Sequence, residues 1–211
     1  MKNPIRANDT LKLIELALLI GLAVFLICGS WALRTQDALS EKVVRLHVLA
    51  NSDSPEDQAL KLKVRDVVLA HATELLEQSA DRREAEGLLR GNLLELEYIA
   101  EKEIAANGYD YPVTAELTDV SFPTREYDGF TLPAGEYLAL RILIGEGTGQ
   151  NWWCVVFPPL CTTASADVPV SALAAGFSKD DVRLITEEDT GYILKLKTIA
   201  FWEDLKMRFH N

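Results

Sequence analysis

A short apolar run near the N-terminus constrains this chain more than any other feature. The run extends without interruption from Leu16 to Cys28. Three basic side chains precede it: Lys2, Arg6 and Lys12. A basic start followed by a short apolar stretch is typical of an export signal. Ser30 and Ala32 place small residues at the −3 and −1 positions of a cleavage site after Ala32, and whether the signal is cleaved stays open. The alternative is an uncleaved anchor, although an apolar stretch that ends at Leu33 is borderline for a bilayer of about 30 Å.

The chain as a whole is acidic and has the length of one domain. Its 21 Lys and Arg residues are outnumbered by 32 Asp and Glu residues, which gives a net charge of −11 and a pI near 4.8. Such a charge repels phosphate backbones and anionic lipid. We therefore expect no nucleic-acid partner, and contact with a membrane only through residues 1–32. No linker divides the chain, so we predict a signal peptide or signal anchor over 1–32, a polar tether over 33–41 and one exported domain over 42–211.

Hydrophobic periodicity predicts a mixture of helices and strands. A strand is predicted over 43–49, and Ser54 followed by Pro55 marks the start of a helix. The other predicted elements are a helix over 81–106, strands over 111–120, 136–144 and 152–157, a short helix over 179–186, a strand over 191–197, and a C-terminal helix that carries Phe201, Leu205 and Phe209. The predicted fold class is α+β, a single domain with a mostly antiparallel or mixed sheet packed against helices and preceded by the N-terminal signal or anchor helix.

A glycine-rich stretch, Gly145 to Gly149, follows one predicted strand and precedes another. A phosphate-binding loop depends on the N-terminus of a helix that follows it. Because a strand follows here, we interpret the stretch as a hairpin connection.

Cys154 is the candidate nucleophile for a cysteine-dependent hydrolase, which is the least favoured function. Such an enzyme needs a base beside the thiol, and none of the histidines lies in a catalytic motif: His47, His71 and His210. Asp53 and Asp57 are accounted for by helix capping. The sequence therefore predicts no catalytic residue, no metal site and no cofactor.

Cys154 and Cys161 lie on either side of Pro158-Pro159, which turns the chain. In an oxidising compartment the two thiols would close a short loop as a disulfide. The alternative is a pair of buried thiols, because free cysteine packs as a small apolar residue. Both interpretations remain open at this stage.

Trp152 and Trp153 are candidates for partner binding. Neighbouring residues of a strand point to opposite faces, so burial of one tryptophan leaves the other facing outward. An outward tryptophan stacks on a sugar or anchors a protein interface. The alternative is that a covering element buries both rings.

The segment from Phe122 to Gly129 is a polar loop with two aromatic side chains and a guanidinium. Loops of this composition often carry recognition, and the candidate binding residues are Arg125, Tyr127 and Asp128. Turn chemistry alone would also account for Asp128 and Gly129.

Several segments together resemble the stage II sporulation protein R family. They are Arg45 to Ser54, Asp57-Gln58, Lys61 to Asp66, Phe122 to Asp128, Pro133 to Tyr137 and Gly149 to Cys161. The resemblance covers about residues 43 to 200, and its last segment is the most specific. The region from 162 to 189 adds nothing to it.

The resemblance implies a signalling protein of endospore-forming bacteria. Members are made in the forespore and exported into the space between the forespore and mother-cell membranes. There they trigger a membrane-embedded aspartic protease that cleaves the sigma-E precursor. The partner is then expected to contact Arg125, Tyr127, Asp128 and the exposed tryptophan of the pair. The alternatives are a peptidoglycan-binding module that uses an exposed tryptophan and, less favoured, the hydrolase that uses Cys154.

Overall fold

The structure is a computed structural model that describes residues 7–77, 79–127, 129–160 and 168–186. In chain order its elements are α1 (Ala7–Ser40), β1 (Val44–Leu49), α2 (Pro55–Leu76), α3 (Arg82–Gly91), α4 (Leu93–Ala106), β2 (Val113–Phe122), β3 (Arg125–Tyr127), β4 (Phe130–Leu132), β5 (Gly135–Ile144), β6 (Asn151–Phe157), α5 (Val168–Ala174) and α6 (Lys179–Ile185). The predicted strand over 191–197 and the predicted C-terminal helix lie outside the described residues.

The main sheet has four strands in the order β2-β5-β1-β6. Strand β1 pairs parallel to β5 and antiparallel to β6, and β2 pairs antiparallel to β5. A second, two-stranded sheet is formed by β3 and β4. The predicted α+β class with a mixed sheet is therefore confirmed.

Strand β5 shows how the sheet separates two cores. Its even-numbered apolar residues, Leu138 to Ile144, contribute to a core that α2, α3 and α4 cover. Its Tyr137 and Ala139 point to the other face and join a second core. Strict alternation along a strand sends successive side chains to opposite faces, and the sequence pattern here identifies both cores.

Helix α2 begins where the sequence predicts. The Ser54 hydroxyl accepts a hydrogen bond from the Asp57 backbone amide at 3.1 Å, and Pro55 occupies the first turn. This cap satisfies an amide that has no partner within the helix. The buried stripe of the helix packs on the sheet and consists of Leu60, Val64, Val68, Ala72 and Leu76.

The second core lies on the opposite face of the sheet. It is built from the β3–β4 hairpin, α5, α6 and the C-terminal end of α1. Leu39 of α1 is fully buried there together with Val43. Helix α1 thus continues through residues 33–40, most of the range assigned to a polar tether, and its end is part of the packed domain.

The single helix predicted over 81–106 is wrong, because the chain breaks at Asn92 into α3 and α4. Gly91 and Asn92 are both poor helix formers. The Asn92 side-chain amide donates to the Leu88 carbonyl oxygen at 2.7 Å, and the backbone φ at Asn92 is −118°. A local side-chain bond of this kind competes with the regular helix.

The hairpin interpretation of Gly145 to Gly149 is also wrong. Strand β1 lies between β5 and β6, so the connection passes over the end of β1 instead of joining neighbouring strands. Within it, the Gly149 amide donates to the Ala50 carbonyl oxygen at 3.0 Å. The sequence alone does not reveal this order, because β1 enters the sheet from a distant part of the chain.

Helix α1 contains one stretch, Lys12–Ser30, that is long and apolar enough to cross a membrane. Its large side chains are exposed, as Leu18 and Ile27 show. Such a helix is consistent with export or with a membrane anchor.

Candidate functional site

A first group of polar residues joins the exit of β1 to the connection between β5 and β6. We call it the loop clasp, and it consists of Asn51, Ser52, Asp53, Asp57, Gln58, Lys61, Gly149 and Gln150. The Asn51 carbonyl oxygen accepts from the Thr148 hydroxyl at 2.8 Å, and the Asp53 carboxylate accepts from the Gln150 amide at 2.7 Å. These bonds hold two segments that lie about a hundred residues apart in the chain.

Asp57 and Lys61 are the buried charges of the loop clasp. The Asp57 carboxylate accepts from the Ser52 hydroxyl at 2.6 Å and from the Asn51 amide at 2.9 Å. These two donors lower the pKa of Asp57, Ser52 having the larger effect. The Lys61 ammonium donates to Gln58 Oε1 at 2.6 Å and to the Gln150 carbonyl oxygen at 2.8 Å, while burial lowers its pKa.

Gly149 explains why the loop clasp contains glycine. A Cβ atom at this position would overlap the backbone carbonyl of Ser52. Close approach of two backbones is a standard reason for glycine. The buried charges of the loop clasp already have partners within the chain. We therefore interpret the loop clasp as a structural feature that holds its two segments together, and not as a binding site.

A second group lies on the face of the sheet opposite α2. We call it the arginine–aromatic cluster, and it consists of Arg45, His47, Phe122, Arg125, Tyr127, Tyr137 and Trp153. Arg45 and His47 alternate along β1 onto this face, and the cross-strand neighbour of His47 is Trp153. The β3–β4 hairpin lies over the same face, and its Tyr127 ring stacks on Phe130 at 4.6 Å between ring centroids.

Arg45 is the buried centre of this cluster, with 0% of its surface exposed. The centre of its guanidinium lies 3.9 Å from the Phe122 ring centroid and 4.9 Å from that of Tyr137. Its Nη2 donates to the Tyr127 hydroxyl, while Nε and Nη1 have no hydrogen-bond partner in the part of the chain that the structure describes. Burial lowers the pKa of Arg45 and raises that of Tyr127.

His47 lies beside Arg45 and is 7% exposed. Its Nε2 is 2.9 Å from Asn151 Oδ1, whereas the buried Nδ1 has no hydrogen-bond partner among the described residues. Burial lowers the pKa of His47, and the positive charges of Arg141 and Arg45 act in the same direction. The neutral imidazole is therefore the favoured form.

The two tryptophans of the predicted binding pair point to opposite faces, and each carries an arginine. The Arg125 guanidinium lies 3.9 Å from the Trp153 ring on the cluster face. The Arg65 guanidinium of α2 lies 4.3 Å from the Trp152 ring on the other face. Trp152 is 37% exposed and Trp153 is half-buried.

The structure thus brings three of the five predicted binding residues, Arg125, Tyr127 and Trp153, into one cluster, while Trp152 lies on the opposite face. The fifth, Asp128, is outside the described residues. Cys161 is also outside them, so the pairing of Cys154 with Cys161 stays a prediction.

Cys154 is not placed beside a histidine of β1. Its side chain belongs to the core that α2, α3 and α4 cover, whereas His47 points to the opposite face of the sheet. His71 lies on α2 with its Nε2 3.5 Å from Glu95 Oε1, and His210 is outside the described residues. Within the part of the chain that the structure describes, no group of three or more His, Cys, Asp or Glu residues is arranged to hold a metal ion.

Sequence reasoning missed the roles of Arg45 and His47. Both interrupt a strand whose other residues are apolar, Val43 to Leu49. Charged side chains are rarely buried unless they are paired, so polar residues at alternate positions of a buried strand were the available signal. Their contacts could not be read, because the aromatic partners come from β2, β3 and β5.

Comparisons with known proteins identify the family of this chain. A sequence-family model described as Stage II sporulation protein R (spore_II_R) matches residues 40–167. The chain is 40% identical over 123 residues to the Stage II sporulation protein R of Bacillus subtilis (strain 168), an alignment that covers 58% of this chain. The chain spans about half the length of that curated relative, 55%. No solved structure matches this chain significantly. All four strands of the main sheet lie within the matched range, and the chain belongs to the stage II sporulation protein R family, with a role in sporulation.

Proposed function

We propose that this chain is an exported signal of sporulation that activates a membrane-embedded aspartic protease. It is made in the forespore, acts between the forespore and mother-cell membranes, and causes the protease to process the sigma-E precursor. The observation that carries this proposal is the family match over residues 40–167, which includes the whole main sheet. The apolar stretch Lys12–Ser30 supports export.

The chain acts by binding and not by catalysis. The side chains of Cys154 and His47 lie on opposite faces of the sheet, so they do not form a nucleophile–base pair. The arginine–aromatic cluster instead presents an exposed guanidinium held on an indole ring. Aromatic and arginine side chains are the residues that most often dominate the affinity of protein interfaces.

Activation is a shift between two states of the protease. The exported domain binds the active state more tightly than the inactive one, and a difference of about 2.7 kcal/mol gives roughly a hundredfold change in their ratio. No covalent step by this chain is required.

A peptidoglycan-binding module is less well supported. Sugar recognition by tryptophan uses an open ring face, and each ring of the pair already carries a guanidinium on one face. Sedimentation with purified peptidoglycan separates the two functions, because a protein ligand stays in solution.

The proposal is tested in a spore former that lacks its own family member. The full chain, expressed only in the forespore, is expected to restore cleavage of the sigma-E precursor in the mother cell. The matched control is the same chain with Leu18→Arg and Leu22→Arg, which interrupts the apolar stretch and keeps the chain inside the forespore. Cleavage without the chain, or equal cleavage with the control, would contradict the proposal.

A further inference from the structure

We infer that the Arg125–Trp153 pair receives a carboxylate from an acidic side chain of the partner protein. This inference rests on the proposed function and names the chemistry of the contact.

Trp153 orients the Arg125 guanidinium but leaves its N–H groups available. Its guanidinium is stacked on Trp153, yet no hydrogen bond or ion pair uses its N–H groups within the described part of the chain. Arg65 provides the contrast on the other face. Its Nε and Nη2 both donate to the Asp66 carboxylate, at 2.8 Å and 2.6 Å. The two stacked arginines therefore differ in that only Arg125 offers an open set of donors.

The carboxylate nearest in sequence does not serve Arg125. Side chains alternate along a strand, and the Tyr127 hydroxyl reaches Arg45 beneath the hairpin. Arg125 points in the same direction as Tyr127, towards the sheet, so Glu126 between them points away from it. Glu126 is exposed on the outer side of the hairpin.

The surroundings of the pair are positively charged. Arg45 is buried behind Phe122, and two of its nitrogen atoms have no hydrogen-bond partner among the described residues. Arg141 on the same face is paired with Glu116. Among the described residues no carboxylate forms an ion pair with Arg45 or Arg125. A region with these uncompensated cations attracts an anion, and the attraction is strongest where water is excluded.

The geometry of the donor selects a carboxylate. A guanidinium presents parallel N–H groups that match the two oxygens of Asp or Glu, and stacking on a ring fixes its plane before binding. The net charge of −11 repels an acidic partner over the rest of the surface. A single acidic side chain that enters this cationic region is thus favoured over a broad acidic surface.

The experiment uses the full chain and the purified protease, both in detergent, with the dissociation constant as the readout. Arg125→Gln is expected to weaken binding about tenfold or more, which corresponds to about 1.4 kcal/mol. Arg125→Glu is expected to weaken binding further. The dissociation constant of the Arg125→Lys chain is expected to lie between those of wild type and Arg125→Gln, because lysine keeps the charge but lacks the parallel N–H donors of the guanidinium. Arg65→Gln is the matched control and is expected to stay within about twofold of wild type.

Carboxyl labelling of the protease with a carbodiimide and an amine, read by mass spectrometry, identifies the contact. The wild-type chain is expected to protect at least one carboxylate that the Arg125→Gln chain leaves reactive. Tight binding by the Arg125→Glu chain, or no protected carboxylate in the wild-type complex, overturns the inference and leaves the proposed function standing. If the wild-type chain does not bind the protease, both the inference about Arg125 and the proposed function are wrong.

Discussion

At the scale of single residues, Arg45 is the most unusual feature of the domain. Its guanidinium lies in the core without a carboxylate partner among the described residues, and the removal of a charge from water costs several kcal/mol. Three aromatic rings, those of Phe122, Tyr137 and Tyr127, lie within 3.9–5.9 Å of it and offset part of this cost. A desolvated cation on an aromatic ring contributes about 2 kcal/mol or more. The side chain therefore stabilises the fold mainly through its volume and its ring contacts.

Two substitutions separate volume from charge at this position. Arg45→Met is expected to leave the free energy of unfolding within about 1 kcal/mol of wild type, because it fills the space and removes the buried charge. Arg45→Ala is expected to lower it by about 2–4 kcal/mol, because it leaves a cavity between the rings. Unfolding of each variant in denaturant measures both free energies. Equal destabilisation by the two variants would show that the charge and its bond to Tyr127 stabilise the domain.

At the scale of elements, the loop clasp determines how β1 fits between β5 and β6. Asp57 lies in the first turn of α2 and accepts from Ser52, which follows β1. Lys61, one turn further along α2, donates to the Gln150 carbonyl oxygen just before β6. The Asp57 carboxylate thus helps to hold together the end of β1, the first turn of α2 and the connection between β5 and β6. Hydrogen bonds to a charged, buried group are among the stronger ones in proteins.

The pKa of Asp57 gives the clasp a pH dependence of known sign. The folded pKa is lowered by Ser52 and Asn51, whereas the unfolded value is about 3.9. The ionised Asp57 carboxylate therefore contributes its full stabilisation to the fold above about pH 4. This contribution is lost as the pH falls from there through the pKa of Asp57 in the folded state. Asp57→Asn is expected to lower the free energy of unfolding by about 1–3 kcal/mol at pH 7, and the difference from wild type is expected to shrink towards pH 2.

The matched control is Asp53→Asn, since that carboxylate also accepts from the clasp, at Gln150, but is exposed. Its effect is expected to be smaller than that of Asp57→Asn. A constant difference between the Asp57→Asn and wild-type proteins across the pH range, measured by urea unfolding at several pH values, would refute the assignment.

The elements also show what the sequence can reveal. The cap at Ser54 and the alternation along β5 are local, and both were predicted. The break at Asn92 was missed because an amphipathic pattern continues through it from Leu89 to Leu96. The β3–β4 hairpin was missed because strands of three residues are too short to show alternation. The order of β5, β1 and β6, and hence the meeting of Arg125 with Trp153, depends on tertiary pairing that no local pattern records.

At the scale of the whole molecule, helix α1 connects an apolar stretch to the packed domain without a break. The helix has 34 residues, which corresponds to about 50 Å. From Ser30, where the apolar stretch ends, to the buried Leu39 the helix rises only about 14 Å. An uncleaved chain would hold the domain close to its own membrane, and a chain cut after Ala32 would still retain Leu39.

Two truncated chains therefore differ in a predictable way. A chain that begins at residue 33 keeps Leu39 in the second core, and a chain that begins at residue 42 loses it. Removal of a buried leucine side chain costs about 2–5 kcal/mol, so the shorter chain is expected to melt roughly 4–20 °C lower. Thermal unfolding of both purified chains measures this, and Leu39→Ala in the longer chain is expected to reproduce most of the loss.

The same two truncated chains distinguish export of the domain from activation of the protease in the proposed function. Each is joined to an independent export signal and supplied from the forespore, and cleavage of the sigma-E precursor is measured in the mother cell. The chain that begins at residue 33 is expected to restore cleavage, because it retains both cores and the arginine–aromatic cluster. Failure of this chain, when it is folded and exported, would mean that the apolar stretch takes part in activation. Equal cleavage and equal melting of the chain that begins at residue 42 would show that Leu39 is dispensable and that the domain begins at β1.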